Sequence, residues 1–304
     1  MALSMPVAVR RPSRRPILAV AAALPVLWFA SPDGHPSELR LFLVPLVAAL
    51  VLGRGRAFVR DFCPFAVGVL AYEWGRTIAH RINPDAYFRP QLAVDRMLGF
   101  GRAPSARLQG WFFDGHLRWH DQILIFLHSL HFAVPLAVLF AVWLTYRPLF
   151  VQGVHALLAT SFAAGVVFLV FPAAPPWLAA RDGLLQGVVR IRSLHGAQQA
   201  HGTLQKLFDD NPVAAVPSLH AAYSLLVVLI VWRIWPRVAP FAVAYAVAMQ
   251  FGIVYLGEHY VSDLIAGDAL ALAVWWAVGR QHIAIRQRAA AARAAAVQPA
   301  TPAA

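Results

Sequence analysis

Long apolar runs broken by short polar, proline-bearing or arginine-bearing stretches dominate this chain. Runs near 17–31, 38–53, 57–74, 121–146, 149–172, 216–235, 239–256 and 260–279 approach the roughly 20 residues that cross a bilayer core. They predict about eight helical spans. The first three are short or interrupted, and the third carries Arg60 and Asp61 near its start, where the two can snorkel to the interface or pair with each other. Segment 75–120 is too rich in arginine, proline and glycine to cross. The Ala- and Arg-rich tail after Arg280 predicts a fraying helix that passes into disorder.

Composition agrees with this pattern. Of 304 residues, 60% are hydrophobic and only 13% charged, with a mean hydropathy of +0.60. Such a chain is too apolar for a soluble enzyme, a nucleic-acid-binding module or a disordered tail protein. The formal charge of +12 comes almost wholly from arginine, Lys206 being the one lysine. Eight spans place both termini and the 54–56, 146–148 and 233–237 loops on one side. That side holds Arg10, Arg11, Arg14, Arg15, Arg54, Arg56, Arg147, Arg233, Arg237, Arg280, Arg286, Arg288 and Arg293, with no Asp or Glu among them. The positive-inside rule makes it cytoplasmic. Arginines in 75–120 and 173–215 then lie outside, where a bound anion would account for them. Arg10 to Arg15 followed by an apolar run also fit a signal peptide with a weak cleavage site at Ala30, which would leave the later spans in the same orientation. The single cysteine, Cys63, can form no intrachain disulfide and leaves the redox compartment open.

Two short motifs fall on the outer side. Val216-Pro217-Ser218-Leu219-His220 opens the sixth predicted span, where proline suits a first helical turn and leaves outward-facing N–H groups of Ser218, Leu219 and His220 that favour an anion. Alone, this is also what an ordinary helix start with an interfacial histidine looks like. Gly257-Glu258-His259-Tyr260-Val261-Ser262-Asp263 opens the eighth span. Four residues apart on a helix, His259 and Asp263 share a face, so the carboxylate can take the proton of one imidazole nitrogen and leave the other as a nucleophile. One hairpin joins the motifs, so His220 and His259 reach the same membrane surface. A structural His–Asp contact is the alternative for the second motif taken alone. Phe171-Pro172-Ala173-Ala174-Pro175-Pro176-Trp177, ending the fifth span on that side, predicts a rigid extended turn that can wall a site but brings no charge.

Pro217-Ser218-Leu219-His220 and His259-x-x-x-Asp263 resemble the second and third signature motifs of the type 2 phosphatidic acid phosphatase (PAP2) superfamily. The leucine in place of glycine, the Ala-Pro-Pro-Trp element and His259-Tyr260 are similar to its inositolphosphotransferase branch, which includes inositol phosphorylceramide synthases. Tyr72-Glu73-Trp74-Gly75-Arg76, Asp95-Arg96, Gln109, Asp121 and His131-Phe132 also resemble that branch, and the likeness covers about 70–280. It implies an all-α polytopic transmembrane helix bundle with a six-helix PAP2-like core. It also implies that His259 attacks phosphorus to form a phosphohistidine, that Asp263 orients it, and that His220 protonates the leaving oxygen. The family's usual cations are absent: no lysine and arginine precede Pro175 and Pro176, and Ile253 stands where the third motif has an arginine. Ser218, Arg76 and Arg181 are the expected phosphate contacts. Arg76 resembles an arginine of the branch, Arg181 follows the proline element, and Arg190 and Arg192 rank behind both. For each arginine, an interfacial contact with lipid phosphate is the alternative.

The expected organisation is a basic cytoplasmic N-terminus (1–16), accessory spans (17–74), an extracytoplasmic interfacial segment (75–120), a catalytic transmembrane core (121–279) and a cytoplasmic tail (280–304). The expected activity is that of a plasma-membrane phosphotransferase or phosphatase whose extracytoplasmic site acts on a lipid-linked phosphate. An alcohol acceptor serves in the transfer case. Neither a cofactor nor a nucleic-acid partner is expected. His116, His120 and Asp121 have a spacing that could ligate zinc, but the surrounding Trp111, Phe112, Phe113 and Trp119 read as an interfacial belt, so no metal is expected. The alternative of another class is a transporter or scaffold that binds lipid head groups without chemistry, for which titratable groups would lie mid-span rather than at span ends.

Overall fold

The computed structural model describes residues 38–83, 87–195 and 213–297. The expected first span at 17–31, Arg10 to Arg15 and Lys206 lie outside the described residues. Every regular element among the described residues is helical, and two isolated bridges, Tyr87 to Ala173 and Ala173 to Ala214, tie extended segments together.

Helices α1 (Glu38–Val51) and α2 (Gly55–Ile82) come first. The apolar run predicts an end near 74, yet α2 continues to Ile82, with Glu73 and Arg76 paired on it at 2.9 Å. Segment 75–120 therefore begins inside a helix, and it folds further into α3 (Arg89–Leu98) and α4 (Pro104–Phe112), each with proline in its first turn. The run at 121–146 becomes two helices, α5 (Trp119–Ser129) and α6 (Ala133–Thr145), bent by 52° at the break between them. Pro135 explains the restart. It has no N–H to donate, which a first turn tolerates and a helix interior does not. Helices α7 (Arg147–Val170), α8 (Pro176–Arg181), α9 (Leu219–Ile234), α10 (Ala239–Tyr255) and α11 (Val261–Val297) follow, with a short 3-10 turn at Ile191–His195.

The main core lies where α2, α6, α7 and α9 meet. Phe58, Phe62, Phe65, Phe140 and Phe150 bury there with Leu139, Leu226 and Tyr223. Phe62 contacts Trp143 edge-on, with centroids 5.7 Å apart, and Phe150 at 4.9 Å. At one end of this core Asp61 accepts from Arg60 (3.0 Å), Arg147 (2.5 Å) and the indole of Trp143 (2.8 Å), so the charge within the third predicted span is fully met. Many large apolar side chains point outward, among them Phe241, Val247, Val166, Val170 and Trp276. Outward apolar side chains on several long helices suit lipid rather than water.

By length and apolarity, α7 and the Val261–Ile285 part of α11 qualify as membrane-crossing helices among the described residues, and the bent α5–α6 pair makes a third if it counts as one span. Residues Leu41–Val51, α9 and α10 are apolar but shorter.

Candidate active site

The hairpin α9–α10 and the start of α11 bring both histidine motifs together, and backbone contacts fix their register. The N–H of Ser218 donates to the carbonyl of Asp263 at 3.0 Å. One turn on, Gly267 lies so close to Ser218 that a Cβ there would collide with the Ser218 carbonyl oxygen. The closeness of the two helices thus depends on the missing side chain. Between α10 and α11 the chain reverses at Gly257, whose φ of +80° favours glycine and whose added Cβ would meet the Val189 carbonyl at 2.8 Å. Glu258 and His259 then donate their N–H groups to the Ile253 carbonyl at 3.0 and 3.2 Å, closing the end of α10.

His259 is 6% exposed and Asp263 fully buried. Asp263 Oδ2 lies 3.2 Å from His259 Nδ1 and accepts the Tyr260 N–H at 2.9 Å. An ionised carboxylate only accepts, so Nδ1 carries the proton and Nε2 the lone pair. That Nε2 lies 3.2 Å from His220 Nδ1, which must then be the donor. His220 Nε2 is buried with no hydrogen-bond partner. His128, in the last turn of α5, and His131, in the break that follows, both pack on the His220 ring, each with its centroid 4.6 Å away. The site is therefore a file that runs from the buried Asp263 through His259 to His220, with His128 and His131 packed on the His220 ring.

A cationic group borders it. Arg190 holds both oxygens of Glu258 (Nε to Oε1 2.9 Å, Nη2 to Oε2 3.2 Å), and Arg192 Nε donates to Oε1 at 2.7 Å. Burial would push the Glu258 carboxyl up, but the Arg192 and Arg190 guanidiniums outweigh it and hold the group down at about 2, so it is ionised at any working pH. Arg190 also lies over the Trp177 ring, 4.3 Å from its centroid.

Supporting elements carry buried polar side chains that point at backbone. Asp95, on α3, accepts the N–H groups of Val261 and Ser262 at 3.0 and 2.9 Å and so caps α11 just after His259. Gln109 on α4 bonds the Val189 N–H (2.8 Å) and the carbonyls of Val189 (2.9 Å) and Tyr255 (2.7 Å), tying the arginine segment to the end of α10. Asp121 caps α5 through the Arg118 N–H and accepts the Tyr255 hydroxyl at 2.5 Å. The Pro-rich turn after α7 docks through Ala173 and Ala174, and its Trp177 N–H donates to the Gly257 carbonyl at 3.0 Å.

Of the residues singled out in the sequence, His220, His259 and Asp263 stand in one contact chain. Ser218 is buried as the cap of α9, its Oγ accepting the Ala221 N–H at 3.4 Å, and its own N–H is engaged by Asp263 rather than turned outward. Arg76 pairs with Glu73 on α2, and Arg181 is exposed beside Asp182 and Trp177. Arg190 and Arg192, ranked last in sequence, are the ones bonded to the residue before His259. Ile191 between them is fully buried and anchors the start of the 3-10 turn, and both flanking arginines reach Glu258. His120 bonds the Phe112 carbonyl at 3.2 Å and Asp121 is committed to its cap; among the described residues no His, Cys, Asp or Glu cluster is arranged to hold a metal ion.

An all-helical integral membrane protein with two histidine motifs opening paired helices is the class that this fold and site define. The family model for the PAP2 superfamily matches residues 91–277, and the chain belongs to that superfamily. The chain is similar to an inositol phosphorylceramide synthase of Candida albicans (30% identical over 164 residues, 48% of this chain and 33% of the relative). It is similar also to the inositol phosphorylceramide synthase catalytic subunit of Saccharomyces cerevisiae (29% over 127 residues, 38% and 31%). A phosphoinositol dihydroceramide synthase of Bacteroides thetaiotaomicron matches as well (29% over 158 residues, 47% and 50%). The chain thus spans between about a third and a half of the length of these curated relatives. No solved structure matches it.

Proposed function

We propose that this protein is a membrane phosphotransferase that acts on a lipid-linked phosphate through a phosphohistidine at His259. The observation that carries the reading is the contact chain from Asp263 through His259 to His220, at 3.2 Å for each link. Asp263 fixes the tautomer, His259 Nε2 holds a lone pair, and the proton needed by a leaving group already sits on His220 Nδ1. Substrate must part the two imidazoles. The phosphorus then takes the place of that hydrogen bond, a P–N bond forms at Nε2 as the P–O bond to the leaving group breaks, and the His220 proton passes to the departing oxygen. In the second half the acceptor hydroxyl gives its proton back to His220 Nδ1, and its oxygen displaces His259 from phosphorus.

The same two steps serve hydrolysis when the acceptor is water. The relatives' names favour transfer, since each is a synthase of an inositol phosphosphingolipid, and they point to a phosphoinositol donor and a ceramide-type acceptor. The site lies in the plasma membrane on the extracytoplasmic side, a reading supported by the arginines gathered at the other ends of α2, α7, α9 and α11.

Turnover by purified protein in detergent, with phosphatidylinositol and ceramide and with lipid phosphates, tests the proposal. His259→Ala is expected to abolish turnover, and Asp263→Asn to leave weak activity because the imidazole tautomer is no longer held, by analogy with hydrolytic triads. Near-normal turnover in folded His259→Ala would sink the phosphohistidine.

A further inference from the structure

We propose that α3 is an interfacial foot, whose outward face and following tip, Val94, Met97, Leu98 and Phe100, seat in the lipid leaflet on the side of the histidine motifs. Helix α3 is inside out. Its buried residues are Gln91, Leu92 and Asp95, two of them polar, whereas Val94, Met97 and Leu98 are exposed, Met97 at 72%. A short helix bathed in water would turn these faces the other way. Nor can this one roll over, because backbone engages its polar face: Gln91 Nε2 donates to the Tyr87 carbonyl at 3.0 Å, and Asp95 caps α11.

The tip repeats the inversion. Phe100 is 93% exposed at a φ of +53°, in the left-handed region that a bulky side chain rarely adopts. Its loop is held in shape: the Gly99 N–H donates to the Asp95 carbonyl at 2.8 Å, the Gly101 N–H to the Arg96 carbonyl at 2.7 Å, and Arg107 Nη2 to the Gly99 carbonyl at 2.5 Å. A turn in water would favour glycine or asparagine at such a φ, so a phenylalanine fixed there and aimed outward calls for an apolar surrounding.

Charge and continuity both identify that surrounding as lipid. Arg89, Arg96 and Arg102 are exposed on α3 and its tip, and Asp95, the one acidic residue between 87 and 112, is buried. An apolar face rimmed by arginine is the pattern of a helix that lies in a bilayer interface with anionic head groups. The same segment also meets the lipid-facing surface at its other end. At the close of α4 the Phe112 ring contacts Phe251 of α10, with centroids 6.4 Å apart, and Phe251 shares the outward apolar surface of α10 with Val247. Helix α3 thus has lipid on one face and, through Asp95, the first turn of α11 on the other.

The test reads no turnover, so it stands or falls apart from the phosphohistidine. The purified full chain in a Cys63→Ser background, with Phe100→Cys carrying an environment-sensitive NBD fluorophore, is reconstituted in vesicles of phosphatidylcholine and phosphatidylglycerol. Quenching by phosphatidylcholine spin-labelled near the top of its acyl chains is expected, together with a blue-shifted emission and a loss of quenching by iodide on both sides of the membrane, relative to Gln287→Cys. Met97→Cys is the second site should Phe100→Cys fail to fold, with the same results expected. Iodide quenching as strong as at position 287, without quenching by the spin-labelled lipid, at either site in folded protein would overturn the proposal. Protection from both quenchers would overturn it too, since a second copy of the chain would then cover the face instead of lipid.

Discussion

Asp95 is fully buried and bonds two backbone N–H groups from a helix 166 and 167 residues further along the chain. Those two donors belong to the first turn of α11, where no intrahelical partner exists, and the carboxylate also favours the positive end of the helix. The residue therefore fixes where α11 starts, and with it where His259 and Asp263 stand relative to each other. Asp95→Ala is expected to lower stability by about 1–2 kcal/mol, the usual cost of losing a cap, and to reduce turnover by displacing the His259–Asp263 pair. Asp95→Asn keeps an acceptor for one of the two N–H groups and should fall between. Thermal unfolding in detergent alongside turnover checks this, and an Asp95→Ala protein with wild-type values of both would show that the cap is not what positions the motif.

At the scale of elements, the long apolar runs were legible and their ends were not. Hydropathy marks α7, α9 and α10 within a few residues because a bilayer core demands uninterrupted apolar length. It cannot mark the end of α2, where the Glu73–Arg76 pair keeps polar residues helical, nor α3 and α4, whose arginine and proline content disguises two helices. The break between α5 and α6 was hidden because the apolar run resumes directly after His131, while the amide lost at Pro135 decides the geometry. In the site, the His220, His259 and Asp263 constellation could be read because a four-residue spacing and a hairpin place side chains without knowledge of tertiary packing. The cations could not be ranked that way. Arg190 and Arg192 reach Glu258 across 68 and 66 residues of chain, and only the folded loop joins them.

For the molecule as a whole, the histidine motifs and the arginines of the turns before α7 and between α9 and α10 fall at opposite ends of the helices. Arg233 and Arg237 lie at the far turn of the hairpin whose two open ends carry His220 and His259, and Arg147 begins the helix that leads to the Pro-rich wall of the site. Sidedness is tested by single cysteines at Leu194, which is exposed near the arginine loop, and at Gln287, exposed on the far part of α11, in a Cys63→Ser background. A membrane-impermeant thiol reagent applied to intact cells is expected to label position 194 and spare 287; the reverse would place the site in the cytoplasm. The hairpin itself has a further consequence, which concerns the bilayer more than the protein. Helices α9 and α10 have 16 and 17 residues, a length of about 24–26 Å at 1.5 Å per residue, against a hydrocarbon core of about 30 Å. Lipid around the hairpin must thin, or the imidazoles must rest beneath the headgroup plane. Either way a lipid phosphate meets them without leaving its leaflet, and hydrophobic mismatch becomes a control on rate. Turnover in vesicles of short-chain phosphatidylcholine should then exceed that in long-chain vesicles, and a rate indifferent to chain length would mean that neighbouring helices absorb the mismatch.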